Sequence, residues 1–423
     1  MIFEKGLARW TKLENAAKIF PSTTNRRDTK VFRFYCELND AVDPEPLQLA
    51  LKHTLAKFPF FRSVLKKGLF WYYFEDSQIE PSVHEDNRPP CSQIYNPNRK
   101  NLLFDVSYFG CRINLEVYHA LTDGTGAMNF LKTLTSEYLV NCHGLGASAV
   151  IDYDASEAQK RDDSFSKYYC KPKSSKLKRA AVAYHVNEEK LPVGSFGIIE
   201  GRVSAKSLLE LSHSLGVTMT AFLCAVLFRS IGDGLSLREH SKPVVISVPV
   251  NLRKYFPSES ARNFFGVVDV PYNFSEQSGE LSEIASYVGA YFKSEFTAEK
   301  LGQRFNRLAS YERAVAARIA PIPVKNFFMR LAYNQNSRGV TAALSNIGIV
   351  KLPEETEKYV RQFGVLCSTA RIQACICSYM DNLVISFSSP FLSTDIQRRF
   401  FRLLTSMGAD VEITSNIGNG SNL

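Results

Sequence analysis

The nine residues Tyr118-His119-Ala120-Leu121-Thr122-Asp123-Gly124-Thr125-Gly126 decide how the rest of the chain is interpreted. They follow the run 111–117, whose alternating apolar residues predict a β-strand. They precede 127–139, where apolar residues recur near helical spacing. A histidine therefore stands where a strand ends, with an aspartate four residues later and glycines leading into a helix. Loops at strand ends commonly carry chemistry, and a histidine there can act as an acid or a base near neutral pH.

The composition is that of an ordinary globular protein. Of the 423 residues, 45% are hydrophobic and 22% are charged, a balance typical of folded rather than disordered chains. This length allows two ordinary domains or one large one. The net charge of +9 suits an anionic partner, such as a phosphorylated cofactor, an acidic carrier protein or a membrane surface. The net charge alone does not distinguish among these partners.

Several classes of protein find no support in the sequence. There is no secretory signal, no run of about 18 apolar residues that could span a membrane, and no dinucleotide, serine-hydrolase, zinc-finger or RNA-binding motif. The nine cysteines are scattered and odd in number, which indicates a reducing compartment. Cys367, Cys375 and Cys377 are interpreted as small buried hydrophobes. We expect a cytoplasmic protein with no metal, no membrane span and no nucleic-acid partner.

Each half of the chain predicts the order strand, helix, strands, helix. Asp43 before Pro44 predicts the start of a helix, because aspartate caps a helix and proline suits its first turn. The segment 217–228 predicts a buried helix, 281–316 has helical spacing, and 391–404 predicts a closing helix. Strands alternating with helices in this way favour two α/β layers.

The middle of the chain differs in character from its flanks. Residues from about 143 to 180 show little periodicity, and Lys167 to Arg179 holds six basic and no acidic residues. This pattern predicts an exposed linker or crossover whose basic run is most simply solvated, with anion binding the less favoured alternative. We therefore predict two subdomains, residues 1–185 and 186–423.

The histidine and the aspartate of the opening stretch allow more than one interpretation. A lone histidine near a strand end is more often structural than catalytic. However, an aspartate followed by Gly-Thr-Gly is not what a plain core strand requires. Its carboxylate could orient the imidazole or brace the loop through an ion pair.

The sequence from His119 to Gly124 resembles the H-x-x-x-D-G signature of the chloramphenicol acetyltransferase-like acyltransferases. That superfamily includes alcohol acetyltransferases, plant-type acyl-CoA transferases, wax ester synthases and the condensation domains of peptide synthetases. Three further stretches are similar in order and spacing to bacterial alcohol acetyltransferase-like members: Val-Pro-Val-Asn-Leu-Arg at 248–253, Arg-Asn-Phe-Phe-Gly at 262–266 and Leu-Ser-Asn-Ile-Gly at 344–348. The stretch from Val42 to Arg62 extends the resemblance to nearly the whole chain.

The resemblance implies an α/β fold of two α+β two-layer sandwiches, which meet at a central tunnel with His119 near its middle. It implies that His119 is a general base, which takes a proton from an alcohol or amine acceptor as that acceptor attacks an acyl-CoA thioester. Acyl-CoA would then be the donor substrate, with no permanently bound cofactor. We predict a monomeric O-acyltransferase that moves an acyl group, most simply acetyl, to an alcohol. An acyl carrier protein as donor and a non-catalytic acyl-CoA binder are the alternatives.

Other residues of the motif take supporting roles in this resemblance. In the family the aspartate pairs with an arginine and fixes the loop, which makes Asp123 structural. Arg253 and Arg62 both qualify as its partner. Gly124 and Gly126 permit the tight backbone that follows the aspartate.

An oxyanion forms in such a reaction and needs a hydrogen-bond donor. Asn263, Ser345 and Asn346 are the candidates from the second half. The chain also departs from some relatives, because Tyr118 stands where condensation domains usually have a second histidine, and no D-F-G-W-G run is present. Both departures disfavour peptide-bond formation and the plant-type subgroup.

Overall fold

A computed structural model describes residues 10–14, 16–151, 162–171, 181–313 and 319–417. Much of the predicted linker and most of its basic run, residues 152–161 and 172–180, lie outside these described residues.

The described residues form fifteen strands, numbered in chain order. They are β1 (Trp10–Lys12), β2 (Val31–Leu38), β3 (Ser63–Lys67), β4 (Tyr72–Asp76), β5 (His84–Glu85), β6 (Phe104–Phe109), β7 (Arg112–Tyr118), β8 (Gly197–Ser204), β9 (Val244–Asn251), β10 (Phe265–Tyr272), β11 (Ala342–Val350), β12 (Val360–Cys367), β13 (Ile372–Tyr379), β14 (Asn382–Ser389) and β15 (Val411–Ser415).

The same residues form eleven α-helices, also numbered in chain order. They are α1 (Ile19–Thr23), α2 (Pro44–Lys57), α3 (Gly124–His143), α4 (Ser164–Lys167), α5 (Ala205–Ser214), α6 (Met219–Gly232), α7 (Leu281–Glu295), α8 (Ala298–Arg313), α9 (Ile322–Ser337), α10 (Glu354–Glu357) and α11 (Asp395–Ser406).

Two large sheets organise the molecule. The first has the strand order β12-β2-β7-β6-β5, and the second has the order β10-β9-β11-β13-β14-β8-β15. Strands β1, β4 and β3 form a small third sheet. In the first sheet β2 and β7 are antiparallel with Val31 opposite Tyr118, so the loop that begins at His119 leaves from the sheet's interior strand. The mixed α/β class predicted from the sequence is confirmed.

Each large sheet has its own hydrophobic core. Helices α2 and α3 pack on the first sheet, and α6, α7 and α11 supply apolar side chains to the core of the second. Strand β12 belongs to the second half of the sequence, yet it pairs with β2 and completes the first sheet. The two subdomains with a boundary at residue 186 stay a prediction, because the sheets themselves exchange a strand across it.

The predicted helix starts and ends can be compared with the observed ones. The side chain of Asp43 accepts a hydrogen bond from the N–H of Glu45, and α2 begins at Pro44 as predicted. The single helical segment expected over 281–316 is instead the pair α7 and α8. The hydroxyl of Thr297 accepts a hydrogen bond from the N–H of Lys300, so it caps a second helix. The apolar periodicity of the sequence continues across this position and does not indicate the break.

No single helix in the described ranges is both long and apolar enough to cross a membrane. The pair α5 and α6 passes that test only when taken together, across a bend of 81°. Helix α6 lies in the core of the second sheet, with ten of its fourteen residues buried.

Candidate active site

His119 lies directly after β7, and aromatic rings surround its imidazole. Its backbone N–H donates to the carbonyl of Lys30 at 2.8 Å, which ties the loop to the residue preceding β2. The ring stacks on Phe20 with centroids 4.4 Å apart and meets the edge of Phe32 at 5.0 Å. Phe265, from the second half of the sequence, lies 5.4 Å away. The imidazole is thus held between the halves in a mainly apolar setting and remains partly exposed.

One amide fixes the proton on this imidazole. Nδ2 of Asn263 donates to the carbonyls of His119 and Ala120 at 3.0 and 3.3 Å, so the amide oxygen is the atom that faces the ring. That oxygen lies 3.2 Å from Nδ1 of His119. An amide oxygen can only accept, so Nδ1 carries the hydrogen and Nε2 has a free lone pair. Nε2 is therefore the basic atom of the ring.

The surroundings lower the pKa of His119 below its ordinary value. Burial is the largest cause, because it disfavours the charged imidazolium. The carbonyl of His119 itself, the Asp123 carboxylate and the Asn263 amide act in the opposite direction, while Lys30 lowers the pKa further. The net shift is downward, so the imidazole is neutral at pH 7 and available as a base.

Asp123 uses both carboxylate oxygens to hold the loop. Oδ1 accepts from the backbone N–H groups of Thr125 and Gly126, each at 3.1 Å, and thereby caps α3. Oδ2 accepts from Nη1 of Arg253 at 2.7 Å and from the N–H of Phe264 at 2.8 Å. The aspartate is buried, and its contacts join the loop of the first half to the second half.

Arg253 and Arg62, the two arginines predicted as alternatives, occupy different places. Arg253 contacts Asp123 and also donates to the carbonyls of Ser260, at 3.0 and 2.8 Å, and Arg262, at 2.5 Å. Arg62 lies instead beside Glu80, at 3.3 Å. The structure therefore brings Arg253, and not Arg62, to the aspartate.

The two glycines of the motif are required by space rather than by an unusual backbone. Neither has a positive φ, and both lie in the first turn of α3. A Cβ on Gly126 would approach the carbonyl oxygen of Ala261 to 2.2 Å. A Cβ on Gly124 would lie 3.1 Å from the end of the Ile347 side chain. Glycine at position 126 therefore allows the first turn of α3 to pack closely against the backbone of Ala261, in the second half of the sequence.

Ser345 and Asn346 lie on β11, where the pairing with β13 shifts between Asn346 and Gly348. Nδ2 of Asn346 donates to the hydroxyl of Thr220 at 2.9 Å, and its oxygen accepts from the N–H of Gly348. Within the described ranges neither Ser345 nor Asn346 is hydrogen-bonded to His119. Of the three predicted oxyanion donors, only Asn263 contacts the histidine.

Several residues around the histidine were missed from the sequence. Lys30 has a positive φ of 56° and forms an ion pair with Asp28, and its Nζ donates to the hydroxyl of Tyr333 at 2.9 Å. Tyr333 comes from α9, a helix that was not predicted from the sequence. The contacts of Phe20 and Phe32 with His119 could not be predicted from the sequence, because both residues belong to apolar stretches in which nothing distinguishes them from core residues.

Within the residues that the structure describes, no group of three or more histidine, cysteine, aspartate or glutamate side chains could hold a metal ion. Two cavities recorded in the structure lie away from His119, one beside Tyr184 and Phe391 and the other beside Gln48 and Leu49. The tunnel implied by the family resemblance stays a prediction.

Comparison with known proteins identifies the fold. No protein-family model and no curated protein matches the chain. Among solved structures, trichothecene 15-O-acetyltransferase TRI3 from Fusarium sporotrichioides superposes with a TM-score of 0.62 at 11% identity, over 96% of each chain. The chain has the chloramphenicol acetyltransferase-like fold.

Two further structures agree with this assignment of a chloramphenicol acetyltransferase-like fold. TRI101 from F. graminearum, in a complex with coenzyme A and deoxynivalenol, has a TM-score of 0.63 at 12% identity, over 96% of this chain and all of that one. The first condensation domain of the calcium-dependent antibiotic synthetase has a TM-score of 0.59 at 13% identity, over 97% and 100%. Identities this low establish the fold, and the activity has to be argued from the site.

Proposed function

We propose that the protein transfers an acyl group from acyl-CoA to the hydroxyl of a small alcohol, with His119 as the general base. One observation carries this proposal: the amide of Asn263 leaves Nε2 of a neutral imidazole as the proton acceptor. The fold supports it, since the solved neighbours include trichothecene 15-O-acetyltransferase TRI3 and a complex of TRI101 with coenzyme A. The subgroup resemblance to alcohol acetyltransferases favours an alcohol over an amine.

The proposed reaction proceeds by direct attack, without an acyl-enzyme. Nε2 removes the proton of the acceptor hydroxyl as its oxygen attacks the thioester carbonyl, and a tetrahedral oxyanion forms. Collapse of that intermediate breaks the carbon–sulfur bond, and the proton passes from Nε2 to the leaving thiolate. The products are an ester and free coenzyme A. A base placed in this way contributes roughly 10²–10⁴-fold to the rate.

We assign Asn263 to positioning rather than to the oxyanion. Both hydrogens of its amide are directed at backbone carbonyls of the histidine loop, and its oxygen faces Nδ1. Neither hydrogen of its side-chain amide is then left for a developing negative charge. Ser345 and Asn346 remain the proposed oxyanion donors, and Asp123, Gly124 and Arg253 hold the loop in place.

Release of free coenzyme A tests the proposal directly. The purified protein is incubated with acetyl-CoA or longer acyl-CoAs and a panel of alcohols and amines, and the liberated thiol is measured. We expect release with at least one alcohol and a loss of roughly 10²–10⁴-fold in His119→Ala. The rate of the wild type should fall as the pH drops through the imidazole pKa, which lies below its ordinary value.

A second histidine provides the matched control. His84 lies on β5, and its Nε2 is 3.0 Å from Oδ2 of Asp105. His84→Ala should leave the rate unchanged. Absence of thiol release with every acceptor, or equal rates for His119→Ala and the wild type, would contradict the proposal. Transfer from an acylated carrier protein but not from acyl-CoA would instead establish the alternative donor.

A further inference from the structure

Helix α9 presents its apolar side chains to the outside. Of its sixteen residues only Ile322 is buried. Phe327 and Phe328 are 64% and 60% exposed, and Val324 and Leu331 are exposed as well. A surface helix normally turns its apolar stripe toward the core, so this arrangement is the reverse of the usual one. Exposed apolar patches of this kind mark surfaces that bind something.

The tip of the β3–β4 hairpin extends this apolar surface. Leu69 is 69% exposed and Phe70 is exposed beside it. The N–H of Ile322 donates to the carbonyl of Leu69 at 3.0 Å, and Nζ of Lys325 donates to that of Phe70 at 2.7 Å. The tip and the helix are therefore adjacent. We call their exposed side chains the apolar face: Leu69, Phe70, Val324, Phe327, Phe328 and Leu331.

The sequence segment that contains α9 carries charges of one sign. From residue 313 to residue 353 the sequence contains no aspartate or glutamate, but six basic residues: Arg313, Arg318, Lys325, Arg330, Arg338 and Lys351. On the hairpin, Lys66 and Lys67 immediately precede the tip. Lys67 is exposed at the end of β3, and Arg330 is exposed on α9. The surface thus combines exposed aromatic and aliphatic groups with cations.

This surface adjoins the candidate active site. Nε of Arg330 donates to the carbonyl of Ser22 at 2.6 Å, and α9 packs against α1, whose Phe20 stacks on His119. The hydroxyl of Tyr333, in the same helix, accepts from Nζ of Lys30. The backbone carbonyl of Lys30 in turn accepts from the N–H of His119. Arg330 and Tyr333 therefore connect α9 to His119, the first through α1 and the second through Lys30.

We propose that the apolar face docks the protein on the surface of an anionic lipid membrane. Exposed phenylalanines and leucines enter the interface between headgroups and acyl chains, and the cations lie against the anionic headgroups. The proposal concerns docking alone and does not depend on the proposed acyl transfer. The protein would lie on one leaflet, with α9 and the hairpin tip in contact with lipid.

The charge pattern favours lipid over other occupants. A symmetric contact with a second copy would place cations against cations, since this segment offers no acidic group to pair with them. A partner protein would need a groove shaped for the projecting phenylalanines. A lipid interface accepts projecting side chains without such a groove and supplies the negative charge.

Vesicle binding by the full chain tests the proposal. Sedimentation with phosphatidylcholine vesicles is compared with sedimentation with vesicles that also contain phosphatidylserine. We expect binding to the anionic vesicles, weakened by salt. The double variant Phe327→Ser/Phe328→Ser should lose at least about tenfold in affinity, since each buried ring contributes to binding. Arg330→Gln should lose roughly fivefold, as one cation near the surface contributes about 1 kcal/mol.

An exposed leucine elsewhere is the matched control. Leu237 is 89% exposed and belongs to the segment between α6 and β9, not to the hairpin or α9. Leu237→Ser should bind anionic vesicles as the wild type does. Failure of the wild type to bind either kind of vesicle, or unchanged binding by the double phenylalanine variant, overturns the proposal. Self-association or binding of an acidic carrier protein through this face, without vesicle binding, overturns it equally.

Discussion

The loop that begins at His119 and helix α9 are close neighbours, but they are held in opposite ways. The loop is fixed by buried polar contacts: Asp123 accepts four hydrogen bonds, and Asn263 bonds to the loop at three points. Helix α9 rests on its neighbours through a few contacts along one edge and exposes its phenylalanines. The hydrogen-bond partners of the loop thus lie within the protein, whereas the exposed phenylalanines of α9 are open to a binding partner from outside.

This difference indicates what each region can tolerate. A buried charge that loses its counter-charge is costly, because the low-dielectric interior cannot solvate it. An exposed apolar side chain contributes little to folding, because it is not removed from water in the folded state. Substitutions should thus affect stability and turnover at the loop, and binding at the helix.

Removal of the charge on Asp123 should have the largest effect on stability. Asp123→Asn keeps the size of the side chain but leaves Arg253, only 11% exposed, without a counter-charge. We expect the free energy of unfolding to fall by about 3–5 kcal/mol, measured by urea denaturation. Arg253→Gln in the same chain should restore part of that loss, because the unpaired charge is then gone.

An exposed ion pair serves as the control for this prediction. Asp395 and Arg398 lie 2.5 Å apart, with both side chains more than half exposed. Asp395→Asn should lower the stability by less than about 1 kcal/mol, because water screens such pairs. Similar losses for Asp123→Asn and Asp395→Asn would show that the loop is not braced by its buried charge.

Removal of the Asn263 amide should reduce turnover more than stability. In Asn263→Ala the imidazole loses the acceptor that fixes its tautomer, and we expect kcat to fall roughly 10²-fold, as misplaced catalytic groups do. The hydrogen bond that Nδ1 of His119 donates to the amide oxygen of Asn263 raises the pKa of His119, so its loss should move the acid limb of the pH–rate profile to lower pH. Asn251→Ala, which removes hydrogen bonds to the hydroxyl of Thr125 and the N–H of Arg253 instead, should leave that limb in place.

The sequence predicted the loop better than the helix, for a physical reason. The cap at Asp43 is local, so residue type and spacing sufficed to predict the start of α2. The fold was implied by the resemblance of the signature from His119 to Gly124 to a known family. The choice of Arg253 over Arg62 depended on tertiary contacts that no local pattern records. Helix α9 was missed although Val324, Phe327, Phe328 and Leu331 recur at helical spacing, and that spacing alone does not say whether an apolar stripe faces a core or the outside.

The two glycines of the motif should differ in what they tolerate. In Gly126→Ala the new Cβ meets the fixed carbonyl of Ala261, and we expect a loss of about 1–3 kcal/mol in unfolding free energy. In Gly124→Ala it meets only the flexible end of Ile347, and the loss should be below about 1 kcal/mol. Thermal unfolding of both variants measures the difference. Equal losses would mean that the approach to Ala261 is looser than described.

The smallest effect on stability should come from the helix. In Phe327→Ser/Phe328→Ser both rings are already in water, and serine and phenylalanine have similar helix propensities, so we expect changes within about 0.5 kcal/mol per site. Phe61→Ala is the contrasting variant, since Phe61 is buried and stacks on Phe130 at 4.2 Å. It should cost about 3–5 kcal/mol. A comparable loss in the double variant would mean that the phenylalanines of α9 pack against the protein and stabilise the fold. They would then not be available to insert into a membrane.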